Sequence, residues 1–286
     1  MPELHELDAT DQARLLDVRE IDAVELVRHH LDRIDRHAAT LGAFITVTAE
    51  RAIEAARRVD EARARRQDVP AFAGVPTAFK DLDATAGVRT TMGSQVTRDR
   101  VPTRNAHVVD LMEGAGLISL GKTNTPEFGL SSYTDNDLVG PARTPWDLTR
   151  NAGGSSGGAA TAVAAGLVPV AQGSDGGGSI RIPASSCGVF GLKPSRGRVS
   201  SGPDSSDWNG LAVKGPITRT VRDAAALMDV LAVPMSGDLR PLPAPDVPFA
   251  EHARRAPGRL RIARWSATHL PGVEPGPDAE IGRAHV

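Results

Sequence analysis

The chain's 286 residues can form one large α/β domain or two smaller ones, and 40% hydrophobic residues suffice for a substantial core. Its 33 basic and 35 acidic residues leave a formal net charge of −2, which gives no electrostatic reason to expect nucleic acid or an anionic membrane as partner. A single cysteine, Cys187, excludes an intrachain disulfide. The start MPELHELDATDQARLL lacks the zones of a signal peptide, and no uncharged apolar run reaches the roughly 20 residues of a membrane span, so a cytoplasmic protein working on a small molecule is expected.

Val24, Val27, Leu31 and Ile34 recur at steps of three, four and three, which predicts an amphipathic helix. A second helix is expected from about Thr48 into EARARRQ, and residues 1–70 read as a helical segment packed outside a core. From Phe72 the texture changes. Short apolar runs, GVPTAF, GLISLG, GLVPVAQ and GVFGLK, alternate with the helical stretches AHVVDLMEGAG and AATAVAAG, and this predicts a largely parallel sheet with helices on its faces over residues 71–235. Thr220, three residues before Asp223, predicts a capping-box variant opening the helix VRDAAALMDVL. Residues 236–279 are proline-rich and read as a meandering connection with one strand at RLRIARW. One codon choice for the last seven residues, EIGRAHV, spells a widely used sequencing-adapter oligonucleotide, so a native frame cut near Ala279 and a non-native tail at 280–286 are expected.

Residues 151–183, NAGGSSGGAATAVAAGLVPVAQGSDGGGSIRIP, place two glycine and serine clusters around an apolar segment. A linker would be polar throughout, whereas AATAVAAGLVPVAQ has the composition of a buried helix and strand. Successive glycine N–H groups at the ends of core elements can converge on one point, as a phosphate cradle or an oxyanion hole. A P-loop needs a lysine directly after its glycines, and neither cluster has one. Acyl transfer needs a nucleophile beside the donors, and Ser179 directly follows Gly176, Gly177 and Gly178.

The nucleophile needs a base. GSSGG satisfies GxSxG with Ser156 at its centre and would enlist His252, but the preceding TPWDLTRNAG is turn-like where a nucleophile elbow follows a buried strand. SLGK, Ser119 to Lys122, matches SxxK without a later KTG. His29, His30 and His37 lie on or near the first long helix and are expected to be solvated. Lys80 remains: it closes the run GVPTAFK, where desolvation would lower its pKa from about 10.4 toward the range of a base. Asp175 and Arg181 are expected to organise the loop, Cys187 to be a small core residue, and Asp81 and Asp83 to serve turns and caps.

In this order GVPTAFKD, GKTNTPEFG, NAGGSSGG, GSDGGGSIRIPASSCGVFGLKPSRGRVS and GPITRTVRDAA resemble the amidase signature family over most of residues 10–265. The resemblance implies an α/β amidase signature fold, a large mixed sheet flanked by helices with its C-terminal part missing. It implies Lys80, Ser155 in a cis peptide linkage and nucleophilic Ser179 as the catalytic set, oxyanion N–H donors from Gly176, Gly177 and Gly178 through Ser179, and Gly129 and Leu130 beside the substrate. The activity implied is hydrolysis of a small-molecule amide through a Ser179 acyl-enzyme, with no metal or organic cofactor and with room for a homodimer. Two other readings stay open: the glutaminase subunit of a tRNA-dependent amidotransferase, whose members usually carry threonine at the position of Gly176, and a cyclic or oligomeric ω-amino acid amide hydrolase.

Overall fold

A computed structural model of the chain describes residues 2–204, 210–259 and 261. The strand expected at RLRIARW and the tail at 280–286 lie outside the described residues. Up to Arg254 the described residues form one compact unit.

The N-terminal periodicity becomes α1 (Ala9–Asp17) and α2 (Ala23–Leu41), and Val27 and Ile34 are buried in the core. Strand β1 (Phe44–Val47) and α3 (Ala49–Ala64) follow, then β2 (Pro76–Lys80), α4 (His107–Gly114) and β3 (Ile118–Thr123). The second glycine region supplies α5 (Gly157–Ala164), β4 (Val170–Asp175), α6 (Arg181–Cys187) and the two-residue β5 (Phe190–Gly191). Strand β6 (Val213–Thr218), α7 (Val221–Leu231) and the short α8 (Phe249–Arg254) complete the described elements.

The strands form two sheets, ordered β1-β3-β2 and β4-β6-β5. Of their ladders only β2 with β3 is parallel, which corrects the expectation of a largely parallel sheet. The reason is connectivity. Helix α4 returns the chain so that β3 runs alongside β2, whereas β6 enters between β4 and β5 and runs against both. Side chains tie the sheets together: Lys80 N donates to Gln172 Oε1 at 3.1 Å and Thr77 Oγ1 to Val170 O at 3.2 Å.

Helix α5 is buried from Gly157 through Val163, and its composition explains how. A Cβ on Gly158 would stand 2.2 Å from Asn124 N and 2.5 Å from Ala43 O, so only a residue without a side chain lets this helix approach those backbones. At α7, Thr220 Oγ1 accepts from Asp223 N at 3.2 Å, as the capping pattern predicts. The Asp223 carboxylate does not reach back as a capping box would. It accepts instead from Ala9 N, Thr10 N and Thr10 Oγ1, fixing the first turn of α1.

Candidate active site

Lys80 is the last residue of β2 and is fully buried. Its Nζ donates to Ser155 Oγ at 2.8 Å and to Ser174 Oγ at 3.1 Å. Burial pulls its pKa down to about 7; Asp175 acts in the opposite direction, and Lys214 adds to the lowering. At neutral pH a substantial fraction of this amine is therefore uncharged and able to take a proton from a bound hydroxyl.

Ser155 sits in the turn before α5, and the Gly154–Ser155 peptide bond is cis, as the resemblance implies. The next residue staples this turn to β4. Ser156 N donates to Ser179 O at 3.1 Å, Ser156 Oγ donates to Ser174 O at 3.2 Å, and Ser174 N donates to Ser156 Oγ at 3.3 Å. Ser156 is thus a structural serine, and no strand precedes it in the manner of a nucleophile elbow.

Ser155, Ser174 and Ser179 line one open cavity of about 380 Å³ together with Gly129, Leu130, Gly176 and Gly177. Ser155 and Ser179 are not hydrogen-bonded to each other in this structure; the cavity wall is what brings them together. The loop carrying Ser179 is organised by Asp175, whose carboxylate accepts from Gly178 N at 2.8 Å, Ile180 N at 3.1 Å, and Arg181 Nε and NH2, each at 2.9 Å. Burial works against the Asp175 charge, but these donors outweigh it and hold the carboxyl at about 2. The roles expected for Asp175 and Arg181 are therefore met.

The same bonds correct one expectation. The Gly178 N–H is spent on Asp175, so it is not free for an oxyanion. Among the described residues the N–H groups of Gly176, Gly177 and Ser179 have no acceptor. Gly129 has a φ of +71°, the left-handed region that favours glycine, beside the cavity; a Cβ there would also press on Leu82 Cδ1 at 2.6 Å, which a leucine rotamer can relieve. The neighbouring Phe128 holds a φ of 52° without being glycine, a strained residue in the cavity wall.

Other expectations change. His30 is buried, not solvated: it contacts Gln12 Nε2 and Leu167 O, and burial pulls its pKa to about 3. Asp83 does more than cap a turn, because it forms a buried ion pair with Lys214. Asp81 does serve a turn, accepting from Thr91 N at 2.9 Å. Lys122 of the SLGK motif is buried, but it is held by Asp83 O and by Thr85 Oγ1 and does not line the cavity. Cys187 is a core residue, and burial pushes its thiol up to about 11.

Sequence reasoning missed Ser174, Phe128 and Lys214. Two signals were available. Gln172 and Ser174 alternate along β4 on the face that meets Lys80. The chain also has only four lysines, Lys80, Lys122, Lys193 and Lys214, against many arginines. Three of those four are buried. Arginine stays charged in proteins, whereas a lysine amine can be neutralised by burial. Among the described residues no cluster of His, Cys, Asp or Glu could hold a metal ion, and no helix is long and apolar enough to cross a membrane.

Residues 25–284 match the sequence model of the family described as Amidase. Over 230 residues the chain is 50% identical to a glutamyl-tRNA(Gln) amidotransferase subunit of Desulforapulum autotrophicum, covering 80% of this chain and 47% of that protein. The solved structure of 6-aminohexanoate cyclic dimer hydrolase superposes with a TM-score of 0.84 at 40% identity, covering 91% of this chain and 53% of that one. A bacterial aryl acylamidase of the amidase signature enzymes superposes at 0.80 with 36% identity, covering 87% and 52%. The chain spans about half the length of the curated relatives it matches.

Proposed function

The chain belongs to the amidase family, and on that premise we propose that it hydrolyses carboxylic acid amides to a carboxylate and ammonia or an amine. Neutral Lys80 accepts the Ser155 proton while Ser155 takes that of Ser179, and Ser179 Oγ attacks the amide carbonyl. The N–H groups of Gly176, Gly177 and Ser179 receive the developing oxyanion in place of the Gly178 donor. The proton returns through the same hydroxyl to the leaving nitrogen, the C–N bond breaks, and an ester on Ser179 remains. Water then adds to that ester by the same relay. Gly129 and Leu130 flank the bound acyl group.

The observation that supports this reading is the 2.8 Å bond from a fully buried Lys80 Nζ to Ser155 Oγ, at the edge of a cavity that Ser179 also lines. The substrate has to close the remaining step, because catalytic hydrogen bonds often tighten only in the complex. A broad serine-reactive fluorophosphonate, followed by mass spectrometry, tests it. Ser179 carries the adduct in the wild type, Ser179→Ala carries none, and Lys80→Ala labels at least roughly 100-fold more slowly. Equal labelling of all three refutes the assignment.

A second reading is a subunit that supplies ammonia to a partner, which the 50% identity to an amidotransferase component favours. Hydrolysis of simple amides by the purified chain alone supports the first reading; glutamine hydrolysis seen only with added partner subunits supports the second.

A further inference from the structure

Ser174 and Lys214 stand directly opposite each other in the antiparallel ladder of β4 and β6. Their side chains therefore leave the same face, with Cβ atoms about 5 Å apart. Lys80 reaches this face, because its Nζ donates to Ser174 Oγ at 3.1 Å. Lys214 in turn forms an ion pair with Asp83 Oδ1, the two side chains being only 9% and 3% exposed. Asp83 ends the turn that follows β2, with its N–H donating to Lys80 O at 3.0 Å. The residues close a circuit from Lys80 through Ser174, across the ladder to Lys214, and back through Asp83 to the backbone of Lys80.

We propose that Lys214, clamped by Asp83, is a positioning residue of the amide-cleaving site: it locks the end of β2 to β6 and sets a second buried cation across the ladder from Ser174, the hydroxyl that Lys80 also holds. This rests on the reading of Lys80 as the base. Lys214 does not line the nucleophile's cavity. It lines an adjacent one of about 380 Å³, which shares Leu82, Phe128, Ser174 and Ala212 with the first.

The surrounding charges agree. Asp175, at the end of β4, favours the charged form of Lys80, and Lys214 on β6 disfavours it. From β3, Lys122 turns to Asp83 O and Thr85 Oγ1, and α5 carries no ionisable side chain. Asp81, next to Lys80, is held by Thr91. Arg100 and Asp204 share the second cavity with Lys214 and Asp83. Burial brings Lys214 itself to about 8, so it stays mostly charged at neutral pH, and Asp83 is there to hold that charge.

The four lysines of the chain make the test direct. In protein labelled with ¹³C at lysine Cε, the Lys80 resonance, assigned by its loss in Lys80→Ala, reports the titration of its amine without any need for activity. It should titrate near 7 in the wild type. In Lys214→Met it should move up by about one unit, and Lys214→Arg should restore the wild-type value. The double variant Asp83→Asn/Lys214→Met removes both charges of the pair and leaves no buried carboxylate unpaired; because Lys214 and not Asp83 acts on Lys80, the resonance should still move up, by less than in Lys214→Met, which keeps the test valid if Lys214→Met alone fails to fold. The acid limb of Ser179 labelling by the fluorophosphonate should move with the resonance. A Lys80 titration unchanged in the folded variants overturns the proposal. A shifted resonance with no Ser179 labelling in any protein leaves Lys214 acting on Lys80 and refutes instead the reading of Lys80 as the base.

Discussion

At the scale of single residues, a buried lysine with a pKa near 7 ties reactivity and stability to the same proton. Acylation of Ser179 needs the free amine of Lys80, so the labelling rate should climb as pH rises through about 7 and level off above it. Stability should follow a related course. Lys80 and Lys122 are both lowered by burial to about 7, from an ordinary value of 10.5. Well below pH 7 both groups are protonated folded and unfolded alike, and the slope from them vanishes. Between about 7 and 10.5 the unfolded chain binds more protons than the folded one, so the unfolding free energy rises with pH, by up to roughly 1.4 kcal/mol per pH unit for each lysine. Urea midpoints measured from pH 7 to 9 should therefore increase, and Lys122→Met should remove about half of the share that these two lysines contribute. A midpoint flat over that range in the wild type would mean that these amines are not held neutral.

At the scale of elements, the two glycines that a helix needs least and most make a paired test. Gly114 lies in the last turn of α4 with nothing within 4 Å of a built Cβ, so Gly114→Ala should stabilise by about 0.5–1 kcal/mol through the backbone entropy of the unfolded chain. Gly158→Ala meets backbone atoms at 2.2 and 2.5 Å that cannot rotate away, and it should destabilise by about 3 kcal/mol or more. Thermal melts of the two variants should move in opposite directions. The same contrast explains what could be read in advance. Period predicted α2, a cap predicted α7, and composition alone marked α4 and α5 as helical stretches, because each of these signals lies within the element itself. The burial of Lys80 and the place of Ser179 on a cavity wall could be read in advance because each sits at the end of a buried run or a glycine cluster, where local sequence sets the environment. Ladder direction could not be read, since β6 finds β4 some 40 residues later in the chain, through a register no local pattern encodes. Nor could the partner of Asp83, because Lys214 is 131 residues away. The burial of His30 is hidden for a related reason: helix periodicity leaves its face ambiguous, and it is Gln12 of α1 and Leu167, 137 residues away, that close over it.

At the scale of the whole molecule, the N-terminus is fastened by residues more than two hundred positions away. Asp223 accepts from Ala9 N at 2.8 Å, Thr10 N at 3.0 Å and Thr10 Oγ1 at 2.7 Å, while Arg222 NH2 reaches Asp8 Oδ1 and Oδ2, both at 2.6 Å. Burial raises the Asp223 pKa, and the Thr10 hydroxyl bond only partly offsets this, so the carboxylate is kept for the three donors it gathers and not for its own solvation. Asparagine would keep the size but present at most one acceptor oxygen, leaving a backbone N–H of α1 without a partner. Asp223→Asn should therefore cost about 2 kcal/mol of stability. The loss should be local first: amide hydrogen exchange should speed up across Ala9–Asp17 before it does in β2 or β4, because no residue of α1 lines the cavity that holds Ser155 and Ser179. Fluorophosphonate labelling of Ser179 well below the melting temperature should stay within about twofold of wild type, since a loss of about 2 kcal/mol leaves most molecules folded. Exchange that accelerates uniformly across the chain would instead show that the N-terminal fastening and the catalytic core unfold as one unit.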